Sequence, residues 1–166
     1  MSPLLKYKKR LATTSIILHD SHTPPYIGTA QSVPRWSNLA LSGGLKRGLL
    51  SIGYHFIIER SGERVACRPH DLIGTHSPGS NLESLGVCLV GGRSENGDPE
   101  DNFTLEQRLE VYRLVADMRS IYGSLKVKGH TEVQRYRNAE LPQCPYLDMD
   151  LLREDIELYA KGYVLT

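Results

Sequence analysis

The sequence predicts an α/β domain, and three features predict it. Apolar runs of strand length, at residues 15–18 and 85–90 among others, alternate with stretches of helical periodicity at 104–122 and 148–162. Glycine, proline, asparagine and aspartate gather between them, where turns belong. The chain of 166 residues is long enough to bury one core and carries no internal repeat or low-complexity linker. One domain is expected over residues 1–166, with residues 1–13 as a basic N-terminal segment.

Each element has its own signal. Ser15-Ile16-Ile17-Leu18 reads as a buried strand running into His19-Asp20-Ser21-His22. A loop with Pro24, Pro25 and Gly28 follows. Ser32 then suits an N-cap and Pro34 a first turn, opening a helix through Trp36 and Leu39 that Gly43-Gly44 ends. Residues 53–59 form a strand, Ser61-Gly62 a hairpin turn, and residues 63–68 the return strand. Residues 69–84, with His70, Gly74 and His76, are long and irregular, the kind of loop that carries function. Residues 85–90 are a central strand. Thr104-Leu105-Glu106-Gln107 is a capping box opening a helix with Leu109, Tyr112, Val115 and Met118 on its apolar side, stopped by Gly123. Residues 125–127 are a short strand reaching Gly129-His130, and a last helix starts at Asp148, with Leu151, Leu152, Ile156 and Tyr159 as its apolar residues.

Composition excludes several functions. A net charge of +1 argues against nucleic-acid binding through electrostatics, and Lys6, Lys8, Lys9 and Arg10 read as a solvated edge. No apolar run approaches a membrane span. The N-terminus shows no signal-peptide pattern, so synthesis in the cytoplasm is expected, with assisted exit for any work outside. Three cysteines in such a chain argue against a disulfide framework. Cys67 and Cys88 sit in apolar runs and read as small core residues. Cys144, in Leu141-Pro142-Gln143-Cys144-Pro145, lies in a proline-flanked loop where burial alone does not require it.

Two strands therefore end in histidine, at His19 and at His130. Ligand sites of α/β sheets lie beyond strand ends. If the two strands are neighbours, the imidazoles converge, and Cys144 is a candidate third donor. Two histidines and a thiolate leave a tetrahedral zinc one open position, the layout of a catalytic site. Taken alone, a strand-end histidine such as His19 is more often a hydrogen-bonded polar residue closing its strand than a ligand.

The order of short motifs resembles a known family. His19-Asp20-Ser21, Gly53-Tyr54-His55-Phe56-Ile57-Ile58, Gly74-Thr75-His76, Ser84-Leu85-Gly86-Val87-Cys88-Leu89-Val90-Gly91-Gly92, Asn102-Phe103-Thr104, Gly129-His130-Thr131-Glu132-Val133 and Gln143-Cys144-Pro145 follow one another at compatible lengths over residues 14–150. This resembles the zinc N-acetylmuramoyl-L-alanine amidases of the peptidoglycan recognition protein superfamily, above all the amidase-type lysozymes (endolysins) of short-tailed phages. The resemblance implies a central mixed sheet flanked by helices. It implies a Zn2+ ion held by His19, His130 and Cys144, Tyr54 as a catalytic residue near it, and His76 on the substrate groove. The departure is at Pro142, where phage members carry a lysine; Arg135 and Arg137 are the candidates to replace it in catalysis. Asp20 and Glu132 are candidates to orient the ligand histidines, and His55 is read as structural, His22 and His70 as surface residues.

What the resemblance implies for function is hydrolysis of the amide between N-acetylmuramic acid and L-alanine in peptidoglycan, as a phage endolysin for host lysis. The expected setting is Gram-negative peptidoglycan, reached from the host cytoplasm through holin-type release, by a monomer without membrane or direct nucleic-acid binding. A role in restraining the phage RNA polymerase is a further expectation from the same group. Two rivals remain at this point: a recognition protein that binds peptidoglycan without cutting it, and a thiol hydrolase with Cys144 as nucleophile and His130 as base.

Overall fold

The computed structural model describes residues 8–25, 52–134 and 142–163. The helix expected to open at Ser32 lies outside these residues, as do Arg135 and Arg137. Among the described residues a five-stranded sheet forms from β1 (Ser15–Asp20), β2 (Phe56–Ile58), β3 (Arg64–Ala66), β4 (Ser84–Leu89) and β5 (Lys126–Gly129), in the order β3-β2-β4-β1-β5. β1 lies parallel to both β4 and β5, β2 is parallel to β4, and β3 closes the edge antiparallel to β2. The sheet is therefore mixed. Every residue of β1 and β4 is buried, which is why both strands are written in unbroken apolar runs.

Alternation along the strands divides the sheet into two faces. One face carries Ile16, Leu18, Phe56, Ile58, Leu85, Val87 and Leu89. It packs against α1 (Leu105–Tyr122), through Val111, Leu114, Val115 and Met118, and against α3 (Met149–Ala160), through Leu152 and Ile156. The alternate residues, Ile17, His19, Ile57, Gly86 and Cys88, point the other way. There a smaller apolar cluster of Ile52, Ile57, Cys88 and Val90 has Tyr54 and Cys67 packed against it. Both long helices pack on the first face, and among the described residues no long helix covers the second. A short helix, α2 (His130–Val133), follows β5 directly.

The capping box at α1 forms as expected. Thr104 Oγ1 accepts from the Gln107 backbone N–H at 3.1 Å, and Gln107 Oε1 accepts from the Thr104 N–H at 3.0 Å. The Gln107 amide also donates to the carbonyls of Ile58 at 3.2 Å and Val90 at 2.9 Å, so one buried side chain ties the helix start to two strand ends. Asp148 caps α3 by accepting from the Leu151 N–H at 3.0 Å. Leu151 itself, expected on the apolar side, is half exposed; Met149, Leu152 and Ile156 make the buried stripe.

Three boundaries differ from expectation for identifiable reasons. β1 continues through His19 and Asp20, which pair with Cys88 and Leu89, so His19 lies within the strand. β2 begins only at Phe56, because the Gly86 N–H is taken by the His55 imidazole Nδ1 at 2.9 Å instead of a strand carbonyl. Arg10 is not a solvated edge residue. It is buried, and its guanidinium donates to the carbonyls of His70 at 2.6 Å and Leu72 at 2.8 Å, pinning the irregular segment after β3. Among the described residues no helix is long and apolar enough to cross a membrane.

Candidate active site

The register of β1 against β5 brings the two histidines together. Leu18 pairs with Gly129, so the next residues, His19 in β1 and His130 at the start of α2, stand side by side with ring centroids 4.2 Å apart. Cys144 arrives on the loop before α3. Its backbone N–H donates to Thr131 Oγ1 at 2.7 Å, and its carbonyl accepts from the Thr131 N–H at 3.0 Å. The Asp20 N–H points at Cys144 Sγ at 3.4 Å. As a result His19, His130 and Cys144 each offer a donor atom within 4.8 Å of the other two. The three cysteines are free thiols.

The donor set fits a metal ion on structural grounds. His130 Nε2 is a buried polar atom with no hydrogen-bond partner among the described residues, which is costly unless something else binds it. Burial, reinforced by the neighbouring His76 and His130, holds the His19 pKa well below the usual imidazole value, and burial lowers that of His130. Both rings are therefore neutral, the form in which imidazole ligates.

A chain of hydrogen bonds fixes the tautomer of His19. The Ser84 hydroxyl donates to the Ser80 carbonyl at 2.7 Å, so its oxygen accepts from His76 Nε2–H at 3.3 Å. His76 Nδ1 is then an acceptor, and His19 Nε2–H donates to it at 3.0 Å. The lone pair of His19 is left on Nδ1, free for an ion. Gly86 makes this chain possible, because a Cβ there would lie 2.4 Å from the His76 ring. A glycine inside an apolar strand signals such a close approach; the resemblance includes both Gly86 and Ser84 in one motif but gives neither a role. Burial pushes the His76 pKa down to about 3, so the ring stays neutral in its accepting role.

Tyr54 stacks edge-on against His19 with ring centroids 5.1 Å apart. Burial, with Cys88 and Cys144 close by, raises its phenol pKa well above the usual value, so it remains protonated. His55 is buried and structural, as expected: Nδ1 accepts from the Gly86 N–H and Nε2–H donates to the Leu72 carbonyl at 2.7 Å. His22 is exposed, whereas His70 is half-buried and its Nδ1 meets the Tyr122 hydroxyl.

The two carboxylates expected to orient the histidines do other work. Asp20 Oδ2 accepts from the Tyr146 N–H at 2.8 Å and Oδ1 from the His22 N–H at 3.0 Å, so it anchors the Cys144 loop to β1. Gly92 leaves room for it, since a Cβ there would lie 2.6 Å from Oδ2. Glu132 accepts from the Gly129 N–H at 2.8 Å and pairs with Arg153 at 2.7 Å. Gln143, beside the cysteine, is exposed and donates along its own loop to the Leu147 carbonyl at 2.7 Å. A cavity of about 590 Å³ runs along this loop, with Thr131, Glu132, Cys144, Tyr146 and Arg153 on its walls.

Comparison with known proteins agrees with this arrangement. The family model for N-acetylmuramoyl-L-alanine amidase matches residues 9–146, which include all three donors. The chain is 32% identical over 160 residues to the endolysin of Klebsiella phage KP32, covering 96% of this chain and 97% of that protein. It is 32% identical over 155 residues to the endolysin of Escherichia phage T7, covering 93% and 94%. Among solved structures, the amidase LysC from Clostridium intestinale superposes with a TM-score of 0.70 at 21% identity, covering 91% of this chain and 89% of that one. Drosophila PGRP-LB superposes with a TM-score of 0.68 at 22% identity, covering 87% and 83%. The structural neighbours share the fold; the family match and the endolysin relatives carry the sequence. The chain belongs to the N-acetylmuramoyl-L-alanine amidase family.

Proposed function

We propose that this amidase is zinc-dependent, with the ion held by His19, His130 and Cys144, and that it serves as a phage endolysin cleaving peptidoglycan between N-acetylmuramic acid and L-alanine. One observation carries the reading: two neutral imidazoles and a thiol converge within 4.8 Å, with a nitrogen on His130 that has no hydrogen-bond partner among the described residues. Bound zinc would lower the pKa of a water and polarise the scissile carbonyl.

The chain's own residues then have separate tasks. Ser84 and His76 hold His19 in the tautomer that presents Nδ1. Asp20 and Thr131 fix the Cys144 loop. Tyr54, kept protonated, donates a hydrogen bond to the carbonyl oxygen as negative charge builds on it. His76 is a positioning residue in this account, since its ring nitrogens face His19 and Ser84. Arg135 and Arg137, outside the described residues, keep their expected role in place of the lysine at Pro142. In this reading the protein is made in the host cytoplasm and reaches the wall by assisted release. Its endolysin relatives from Klebsiella and Escherichia phages, and a solved PGRP-LB variant in complex with tracheal cytotoxin, support a wall-derived substrate.

The test is release of new L-alanine amino termini from Gram-negative sacculi by the protein as purified, after chelation and after zinc is restored. Release that stops on chelation and returns with zinc is expected. Release that survives chelation and stops on thiol alkylation would instead favour the thiol hydrolase. Binding without release would favour a recognition protein.

A further inference from the structure

Cys144 belongs to two donor sets. Besides His19 and His130, it lies with Asp20 and His22 in a second group whose donor atoms are all within 4.8 Å of one another. The two sets differ in access. The side chain of His22 is 44% exposed, whereas in the first set His19 is 2% exposed and His130 half-buried; the shared Cys144 is 7% exposed. Asp20 is buried, with Oδ1 2.9 Å from His22 Nδ1. A hydrated cation approaching from this side meets His22 before Asp20 and Cys144.

Charge favours one ion over two. The Asp20 carboxylate and the Cys144 thiolate together balance a single divalent cation, since the imidazoles bind neutral. Two divalent ions sharing one sulfur would repel each other at close range, and the Arg93 guanidinium, 3.4 Å from His22 Nδ1, adds to that repulsion. The shared sulfur lets an ion change partners without returning to water.

We propose that Asp20, His22 and Cys144 form a loading station through which a single zinc ion reaches, and leaves, the largely buried set of His19, half-buried His130 and Cys144. The proposal rests on the zinc reading above. In the transfer, the ion exchanges water for His22 and Asp20. The Cys144 thiol gives its proton to solvent as its sulfur binds. His130 and His19 then replace His22 and Asp20 while the sulfur stays bound.

The experiment follows zinc transfer between a fluorescent zinc indicator and the full chain by stopped flow, in both directions. The variants are His22→Asn, which tolerates the left-handed backbone at this position (φ 52°), and His22→Cys, which restores a donor. In His22→Asn, association and dissociation are expected to slow together and by the same factor. Kd stays unchanged, because a station speeds both directions equally, and His22→Cys recovers the rates. Unchanged rates in His22→Asn, with zinc still bound, overturn the station and leave the zinc reading intact. Two zinc ions per wild-type chain, falling to one in His22→Asn, overturn it in favour of a resident second ion. Zinc retained by His130→Ala and lost from His22→Asn overturns the station together with the assignment of the buried set.

Discussion

At the scale of single residues, the site depends on which atom carries a proton. In the proposed mechanism Tyr54 is the phenol that stays protonated beside His19. Tyr54→Phe keeps the ring and removes the donor. Zinc content is expected to hold while turnover falls about 100-fold, the usual effect of losing one donor to a developing oxyanion; near-normal turnover would make Tyr54 a packing residue. Ser84 lies one step further back, and it too sets a proton. Ser84→Ala removes the acceptor that fixes His76, so zinc affinity is expected to drop about tenfold, read by competition with a chelator. Unchanged affinity would mean that packing alone orients His19. Residues of this kind were unequally legible. His19, His130 and Cys144 announce themselves by type and place, and Tyr54 through the resemblance. Ser84 and Gly86 do not, because what they contribute is a contact to a residue whose position only the fold defines.

At the scale of elements, sequence pattern named the strands and helices but not where pairing stops. The capping box at Thr104 was readable because it is local. The start of β2 was not, because it is set by a long-range bond from the Gly86 N–H to an imidazole. The extension of β1 through Asp20 was hidden for the same reason, since its pairing partners lie in β4. Gln107 shows what such a residue is worth. Its side chain is fully buried and serves the Thr104 N–H and the Ile58 and Val90 carbonyls at once. Gln107→Met fills similar space but takes the acceptor from the Thr104 N–H and one donor each from the Ile58 and Val90 carbonyls, which keep the Val90 N–H at 3.1 Å and Arg60 at 3.3 Å. It is expected to cost about 2 kcal/mol of stability, measured by urea unfolding; a loss within error would mean that the Thr104 N–H finds another acceptor.

At the scale of the whole molecule, stability should depend on acidity even without metal. Burial, opposed in part by the hydrogen bond to Leu72, pushes the His55 pKa from 6.5 down to about 4. The unfolded chain then binds more protons than the folded one between these values. Full stability holds above pH 6.5 and declines as the pH falls toward about 4, by about 3 kcal/mol for a shift of this size. Urea midpoints of the metal-free protein from pH 7.5 to 4.5 test this, and His55→Gln should lessen the slope by the His55 share while His19, His76 and His130, lowered in the same direction, keep the rest. A flat wild-type profile would sink the idea. The sheet order has a consequence of another kind. Asp20 and Cys144, 124 residues apart, meet through β1, which also needs β4 and β5 as partners. A growing polypeptide on the ribosome cannot assemble this centre until Cys144 has been synthesised and has emerged. A fragment that stops short of Cys144 would hold only two of the three donors, however well its first strands had formed.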